Sequence, residues 1–320
     1  MLAAFAMITR LALVLMAMLA WQGVEPDDGP TTVVVQDPVR IASAEGAESS
    51  IPSTGSQPAS SAEAADDIET ADDLLRALET AGNDVRQLSA LVRYIKTFDI
   101  QGDTQKREGR LAFVSTPAAD GASEGDDVSY DRRFAIAFER LELDNGRRIE
   151  DASTGYLERY IFDGEWLAEV RPFDKQFIRR QVVAPGEKWD PLRLGEGPFP
   201  IPIQQRRADI LERFDAELLD GLDDVVQRSV RGVAGKCYQL RLTPKAEANE
   251  KDLQEIRVWY QRDTMLPRMA KTISQSGDES FVLLKDLQIN GDAEVSEAEL
   301  TTAPPKDRAG WNITVEPYAG

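Results

Sequence analysis

The residues able to do chemistry in this chain are fewer than its length suggests. Histidine is absent and cysteine occurs once, at Cys237. Without imidazole there is no Ser-His-Asp or Cys-His arrangement, no HExxH zinc site and no usual general base near neutral pH, and one thiol cannot build a thiolate metal site. Carboxylates remain, 56 Asp and Glu against 37 Lys and Arg. At that density some acids adjoin by chance, so a solvated acidic face is preferred to a glycosidase-type pair, which needs two carboxylates at a set separation across a sugar. Neither a phosphate loop nor a dinucleotide fingerprint occurs, so no cofactor and no metal is implied. Cys237 lies in the strand-like run CYQLRL and reads as a small buried hydrophobe.

What is left is apolar recognition, and its residues concentrate between Tyr156 and Phe214. Tyr160, Ile161 and Phe162 run into Asp163-Gly164, a pair suited to the two positive φ angles of a tight hairpin. Trp166, Leu167 and Val170 return the chain, Pro172 turns it again, and Phe177, Ile178, Val182 and Val183 form a third strand. The sheet then stops at Gly195, Gly197, Pro198, Pro200 and Pro202, which cannot continue a central strand. Phe199, Ile201 and Ile203 stand between those breakers, ahead of a helix expected over Gln204 to Phe214 whose Ile210, Leu211 and Phe214 share a face. Such a unit either packs shut as core on the aromatic line of the sheet (Phe134, Phe138, Phe162, Trp166, Phe177) or opens over a ligand.

The elements that must position these residues are mostly strands. Phe134, Ile136 and Phe138 alternate with Ala135 and Ala137, large on one face and small on the other. Asp144-Asn145-Gly146 turns that strand into a partner through Arg147 to Glu150. A short strand is expected over Gly109 to Ser115, preceded by LSALVRYIKTFDI, where a helix can give way to a strand. Further strands are expected at Cys237 to Leu242, Glu255 to Gln261, Pro267 to Ser274 and Ser280 to Ile289, with a last short piece at Trp311 to Val315. About ten sequential antiparallel strands are too many for a flat sheet. The expected class is mainly β (α+β): a curved antiparallel sheet curling into an unclosed barrel, with an N-terminal helix and a short helical lid.

The N-terminal quarter is different. Arg10 precedes LALVLMAMLAW, so residues 1–21 read as a signal peptide or an N-terminal anchor that directs export to the periplasm. Residues 22–70 are rich in Ser, Ala, Pro and acid and are expected to be a disordered linker. Twelve acids against Arg40 between Gln22 and Asp73 hold more than half of the net charge of −19. Residues 71–318 form the folded domain, opened by a helix whose Thr70 and Asp73 resemble a capping box, whose Leu74, Leu75, Leu78 and Ala81 form one stripe, and which Gly82 closes. Its basic doublets, Arg132-Arg133, Arg147-Arg148, Arg179-Arg180 and Arg206-Arg207, are spread among acids, which argues against nucleic acid.

Several motifs, in order along one meander, resemble the LolA-like outer-membrane lipoprotein carriers. They are Asp163-Gly164-x-x-Leu167 leading to Pro172-Phe173-x-x-Gln176, the segment Leu242-Thr243-Pro244-Lys245-Ala246, and Pro304-Pro305 before Gly310. The resemblance spans Leu74 to Pro317. It implies a half-barrel with a helical lid over an apolar cavity that shields acyl chains of lipoprotein or lipid, no catalytic residue, a monomer, and a membrane-bound donor or acceptor as partner. On that reading Phe134, Phe138, Phe162, Trp166, Phe177, Phe199, Ile201, Ile210 and Phe214 line the cavity and lid. The family's Arg-Pro, whose Arg ties lid to barrel, is Ser115-Thr116-Pro117 here, and Arg132 or Arg133 can stand in. The alternatives are a regulatory or scaffold protein of the same fold that contacts a membrane protein, and, last, a carboxylate hydrolase.

Overall fold

The computed structural model describes residues 68–117, 130–151, 153–184, 203, 205–248 and 250–318. The expected leader over 1–21, nearly all of the 22–70 linker, and Phe199 and Ile201 lie outside the described residues.

Helix α1, Ala71–Gly82, begins with the capping box: the Thr70 side chain accepts from the Asp73 N–H, and the Asp73 carboxylate accepts from the Thr70 N–H. It ends without a left-handed glycine, since Asn83 follows in the right-handed helical region. Its Leu74, Leu75 and Leu78 are buried.

The remaining chain forms a 13-stranded sheet. Its strands are β1 (Gln87–Phe98), β2 (Asp103–Pro117), β3 (Tyr130–Glu142), β4 (Arg148–Glu150), β5 (Glu158–Phe162), β6 (Trp166–Arg171), β7 (Gln176–Gln181), β8 (Phe214–Asp220), β9 (Cys237–Pro244), β10 (Leu253–Gln261), β11 (Pro267–Ser274), β12 (Glu279–Ile289) and β13 (Asn312–Glu316). The spatial order is β13-β7-β6-β5-β3-β2-β1-β12-β11-β10-β9-β8, with β4 against the end of β3. Edges β13 and β8 are not paired to each other, so the curved sheet stays open. Two meanders meet at the β1–β12 seam, where Tyr94 lies opposite Val282.

Several expectations need correction. LSALVRYIKTF is strand throughout, and β2 extends far beyond Gly109 to Ser115, because its polar half is held by Arg93–Glu108 and Glu108–Arg140 ion pairs across the ladder. The helix expected over Gln204 to Phe214 is shorter: α2 spans Arg207–Arg213, and Phe214 takes extended φ −128° and ψ 148° to open β8, a strand not expected at all. The Asp163-Gly164 hairpin exists, but only Gly164, at φ 109°, is left-handed. Asp163 instead accepts the N–H groups of Glu165 and Trp166 with its carboxylate. The last strand is not part of a sequential antiparallel order, since β13 runs parallel to β7.

The sheet is buried on both faces. The inner face carries two adjoining clusters, one around Leu88, Val92, Leu111, Phe113, Phe134 and Phe162, and the other, under α1 and α2, joining Leu74, Leu75 and Ile210 to Leu240, Leu242 and Val258. On the outer face Ala135, Ile161, Ala168, Val170 and Phe177 pack under Val295, Leu300, Trp311 and Ile313 of a C-terminal strap, residues 293–316. That strap is fastened by Arg133 to Glu297, by Arg110 to the Glu294 carbonyl, and by Thr302 to Asp163.

A β-bulge decides which side chains face inward. Glu108 lies opposite Arg140 and Gly109 opposite Phe138, so Glu139 is an extra residue on β3 and side-chain alternation reverses there. Phe134, Ile136 and Phe138 face inward above the bulge, and Leu141, opposite Arg107, faces inward below it. Gly109 is required at that approach, because a Cβ would stand 1.9 Å from the Ala137 carbonyl oxygen.

Candidate functional site

The inner face brings together part of the residue set expected from sequence. Phe134 and Phe162, opposite each other on β3 and β5, stack with ring centres 6.0 Å apart. Phe138 meets Tyr160 edge-on at 6.5 Å and Tyr94 at 6.2 Å, extending the aromatic floor across β5, β3 and β1. Ile210 and Phe214 face the same side, farther along the sheet, against α1 and β9–β10. Trp166 and Phe177 do not join them. Both lie on the outer face, Phe177 under the strap and Trp166 beneath the Arg179 guanidinium, 4.2 Å from its ring centre. Of the loop residues singled out, Ile203 is described, and it is buried against the aromatic floor with Val183.

Tyr94 and Tyr160 belong to this floor and carried a legible signal, since each stands in register with an inward apolar residue two places away. Their rings are buried but their hydroxyls are bonded, Tyr94 to Ser280 at 3.2 Å and Tyr160 to Glu158 at 3.2 Å. Burial raises both phenols above their ordinary range, Tyr160 well above it.

The helices close over the far half of the face. Arg207 of α2 donates from Nε to Asp72 of α1 at 2.6 Å, and that hydrogen bond, followed by the one from Arg76, holds the Asp72 carboxyl below its usual value. Arg213 pairs with Glu250 at 2.8 Å, both largely buried, and Lys245 Nζ donates to the Leu211 carbonyl at 2.6 Å. Between helices and sheet lies a cavity of about 20 Å³, lined by Leu75, Leu78, Ile203, Ile210, Tyr260 and Leu266. It admits one water and no alkyl chain, so in this structure the helices sit shut.

At the other end the floor meets a belt of buried charge. Arg107 lies opposite Tyr94, Glu158 opposite Phe138 and Glu169 opposite Tyr160, which puts all three on the inner face. Arg107 Nε bonds Glu158 at 2.5 Å, Arg171 bonds Glu169, and Arg180 approaches Glu169 to 3.9 Å. Burial raises the Glu169 carboxyl above its ordinary value even though Arg171 and Arg180 both favour its ionised form. For Arg107, burial lowers the guanidinium, and Glu158 together with the Tyr160 and Tyr94 hydroxyls more than restores it.

The two latch candidates point to opposite faces. Arg133 forks onto Glu297 at 2.7 and 3.0 Å, so its carboxylate is on the strap and not on either helix. Arg132, opposite Ser115, alternates to the inner side. Cys237 is buried with its thiol donating to the Val233 carbonyl, and burial pushes it up to about 11. Among the described residues no group of three or more His, Cys, Asp and Glu is placed to hold a metal ion, and no helix is long and apolar enough to cross a membrane.

No protein-family model matches the chain, and no curated protein matches it. Solved structures similar to it include an uncharacterized conserved protein from Thermus thermophilus, at 11% identity and a TM-score of 0.39, covering 78% of this chain and 99% of that one. A LolA superfamily protein from Nitrosomonas europaea is similar at 13% identity and a TM-score of 0.30, over 72% of this chain and 97% of that one. The Pseudomonas aeruginosa MucA/MucB complex is similar at 15% identity and a TM-score of 0.34, over 72% of this chain and 60% of that one.

Proposed function

We propose that the chain is a non-catalytic carrier or sensor that takes acyl chains of lipid or lipoprotein onto the inner face of its sheet, beneath α1 and α2. The observation that carries this reading is the way the inner face is covered. Two adjoining apolar clusters line that face: the one on β8 to β11 is covered by a 12-residue helix and a 7-residue helix, and the aromatic one packs, among the described residues, with the loop side chains Val85, Val183, Ile203 and Leu266. A second sheet would have to be torn away to admit a ligand, whereas short helices can be exchanged for one. Exposing Leu74, Leu75, Leu78 and Ile210 costs roughly 6 to 12 kcal/mol at about 1.5 to 3 kcal/mol per side chain. A sixteen-carbon chain offers about 12 kcal/mol at about 0.8 kcal/mol per methylene. The exchange is close to balanced, as loading and release by a carrier require. The resemblance of the meander motifs to LolA-like carriers supports the same reading, as does the leader-like start of the chain, which fits an exported protein with its domain over 71–318 on an acidic tether.

Titration with a fluorescent fatty-acyl probe tests it. Wild type should bind saturably at one site, and Ile210→Asp should lose the site while circular dichroism shows the sheet folded. Absence of saturable binding by wild type, together with unfolding of Ile210→Asp, would mean that the helices are permanent core. The small size of the cavity, about 20 Å³, favours a second reading, a scaffold of the same fold that contacts a membrane protein through its outside. On that reading wild type binds no acyl probe in detergent-free buffer but is retained by a membrane-protein partner.

A further inference from the structure

One stretch of the N-terminal linker does not share the linker's composition. Thr31-Thr32-Val33-Val34-Val35 is an unbroken run of β-branched residues, continued by Gln36, and it holds no charge, glycine or proline. Pro30 lies directly before it and Pro38 closes it two residues on. β-Branched residues favour the extended chain and prolines interrupt a ladder, so this composition specifies a single short strand. A strand on its own has no stability in water and needs a sheet edge.

The described sheet offers two edges, β8 and β13. β8 is guarded, since Asp215, Glu217 and Asp220 lie along it and repel a linker that is itself acidic. β13 is not. Its one acid, Glu316, is held by Arg180 at 2.7 Å. In the parallel pairing with β7 the Asn312 N–H donates to the Lys175 carbonyl, so the backbone groups of Asn312, Thr314 and Glu316 turn toward β7. Those of Ile313 and Val315 turn the other way, and among the described residues no strand lies beyond them. Pro317, next in that alternation, has no N–H and ends the edge. Ile313 packs on the outer-face cluster, yet Val315, on the same face, is 53% exposed. An open apolar edge of this kind is a hazard that proteins normally cover.

The side-chain patterns agree. β13 carries Ile313 and Val315 on one face and Asn312, Thr314 and Glu316 on the other. The linker run, as a strand, carries Val33 and Val35 on one face and Thr32, Val34 and Gln36 on the other. Residues 37–67 would reach roughly 100 Å if fully extended, so the run can meet an edge of its own domain.

We infer that residues 31–36 dock on the free side of β13 as one further strand of the same molecule, with Val33 and Val35 beside Ile313 and Val315. The backbone groups of Ile313 and Val315 are then paired and Val315 is covered. Docking leaves residues 22–30 as the free length between the leader-like start of the chain and the sheet, so it fixes how far the domain stands from whatever holds residues 1–21.

Hydrogen exchange read by mass spectrometry on the full chain tests this. In wild type the amides of residues 31–36 should exchange at least about tenfold more slowly than a free peptide of that sequence, whatever the protein concentration. Two variants locate the contact. In the double variant Val33→Pro with Val34→Pro, one of the two lost N–H groups must face β13, so residues 312–316 should exchange faster while β5, β6 and the circular dichroism stay unchanged. Val315→Pro removes a donor that faces away from β7, and it should return residues 31–36 to the free-peptide rate; if it also loosens β13 from β7, the double variant alone carries the test. Exchange of residues 31–36 at the free-peptide rate in wild type would overturn the docking. Protection that survives Val315→Pro, or residues 312–316 indifferent to the double variant, would put the run elsewhere and overturn it as well. Protection that rises with concentration, together with a dimer by light scattering, would overturn docking within one molecule and assign the edge to the linker of a second copy.

Discussion

Truncating Ile210 separates a movable lid from a fixed core more sharply than any charge insertion. The side chain is 1% exposed and packs against Leu75, Leu78 and Tyr260 around the existing cavity. Ile210→Ala removes buried carbons that the neighbours cannot replace, so the closed state should lose about 3 kcal/mol, within the roughly 2 to 5 kcal/mol range of such truncations. If α1 and α2 lift as a unit while the sheet remains paired, that loss falls on the opening equilibrium. Amides of α2 should then exchange with deuterium on the order of 100-fold faster, since each 1.4 kcal/mol is about tenfold. The sheet's destabilisation cannot exceed the cost of lifting the lid, because beyond that the open state becomes the reference. Hydrogen exchange read by mass spectrometry, comparing peptides from α1 and α2 with peptides from β10 and β11, measures both at once. Helix peptides that exchange with the same opening free energy as strand peptides, in wild type and variant alike, would refute the reasoning: the helices would then unfold only with the sheet, and the inner face would be a closed core.

Two further predictions follow from the sheet itself. Gly109→Ala places a methyl group 1.9 Å from the Ala137 carbonyl, so the strands must part or the bulge must slip, at a cost of about 1 to 3 kcal/mol or more; an unchanged urea midpoint would mean that this approach is not held in solution. Glu169 is a carboxyl whose folded-state pKa is raised, chiefly by burial, so its contribution is fully present below its ordinary value near 4.5 and is lost as pH rises through the folded value. Urea midpoints of wild type should therefore fall across that window, and Glu169→Gln should flatten the fall; parallel pH profiles would show that Glu169 does not titrate there.

Much of the architecture was legible because local signals agreed with the final pairing. The Thr70–Asp73 capping box, the Gly146 turn and the large-small alternation of Phe134 to Phe138 all appear as read, and the Gly164 turn appears with one positive φ in place of two. β8 was hidden because Phe214-Asp-Ala-Glu-Leu-Leu-Asp is built largely from helix formers, and its strand state comes from pairing with β9, which a local reading cannot see. β2 was read short because its polar half derives its strand character from charges on β1 and β3. The site was legible in composition and not in geometry. Trp166 and Phe177 looked equivalent to Phe162, and only the β5–β6–β7 register puts them on the other side. The ionic belt gave no local signal, because its members lie on four strands and meet only across the ladders.

The strand order also governs how such a chain can be assembled. Strands β1 to β7 form one meander apart from β4, and β8 to β12 form another, each of neighbours close in sequence. They join where β1 meets β12, with Leu88 opposite Ile289. A chain folding as it is synthesised can complete the first meander early, but the free side of β1 then stands open, twelve residues long, until β12 has been made. An open edge of that length invites strand pairing with other chains, and non-local closure is slow. The seam therefore sets both the folding rate and the period during which the nascent protein needs a chaperone, and substitutions at Leu88, Val92 or Tyr94 should lower the yield of soluble protein more than their effect on final stability accounts for.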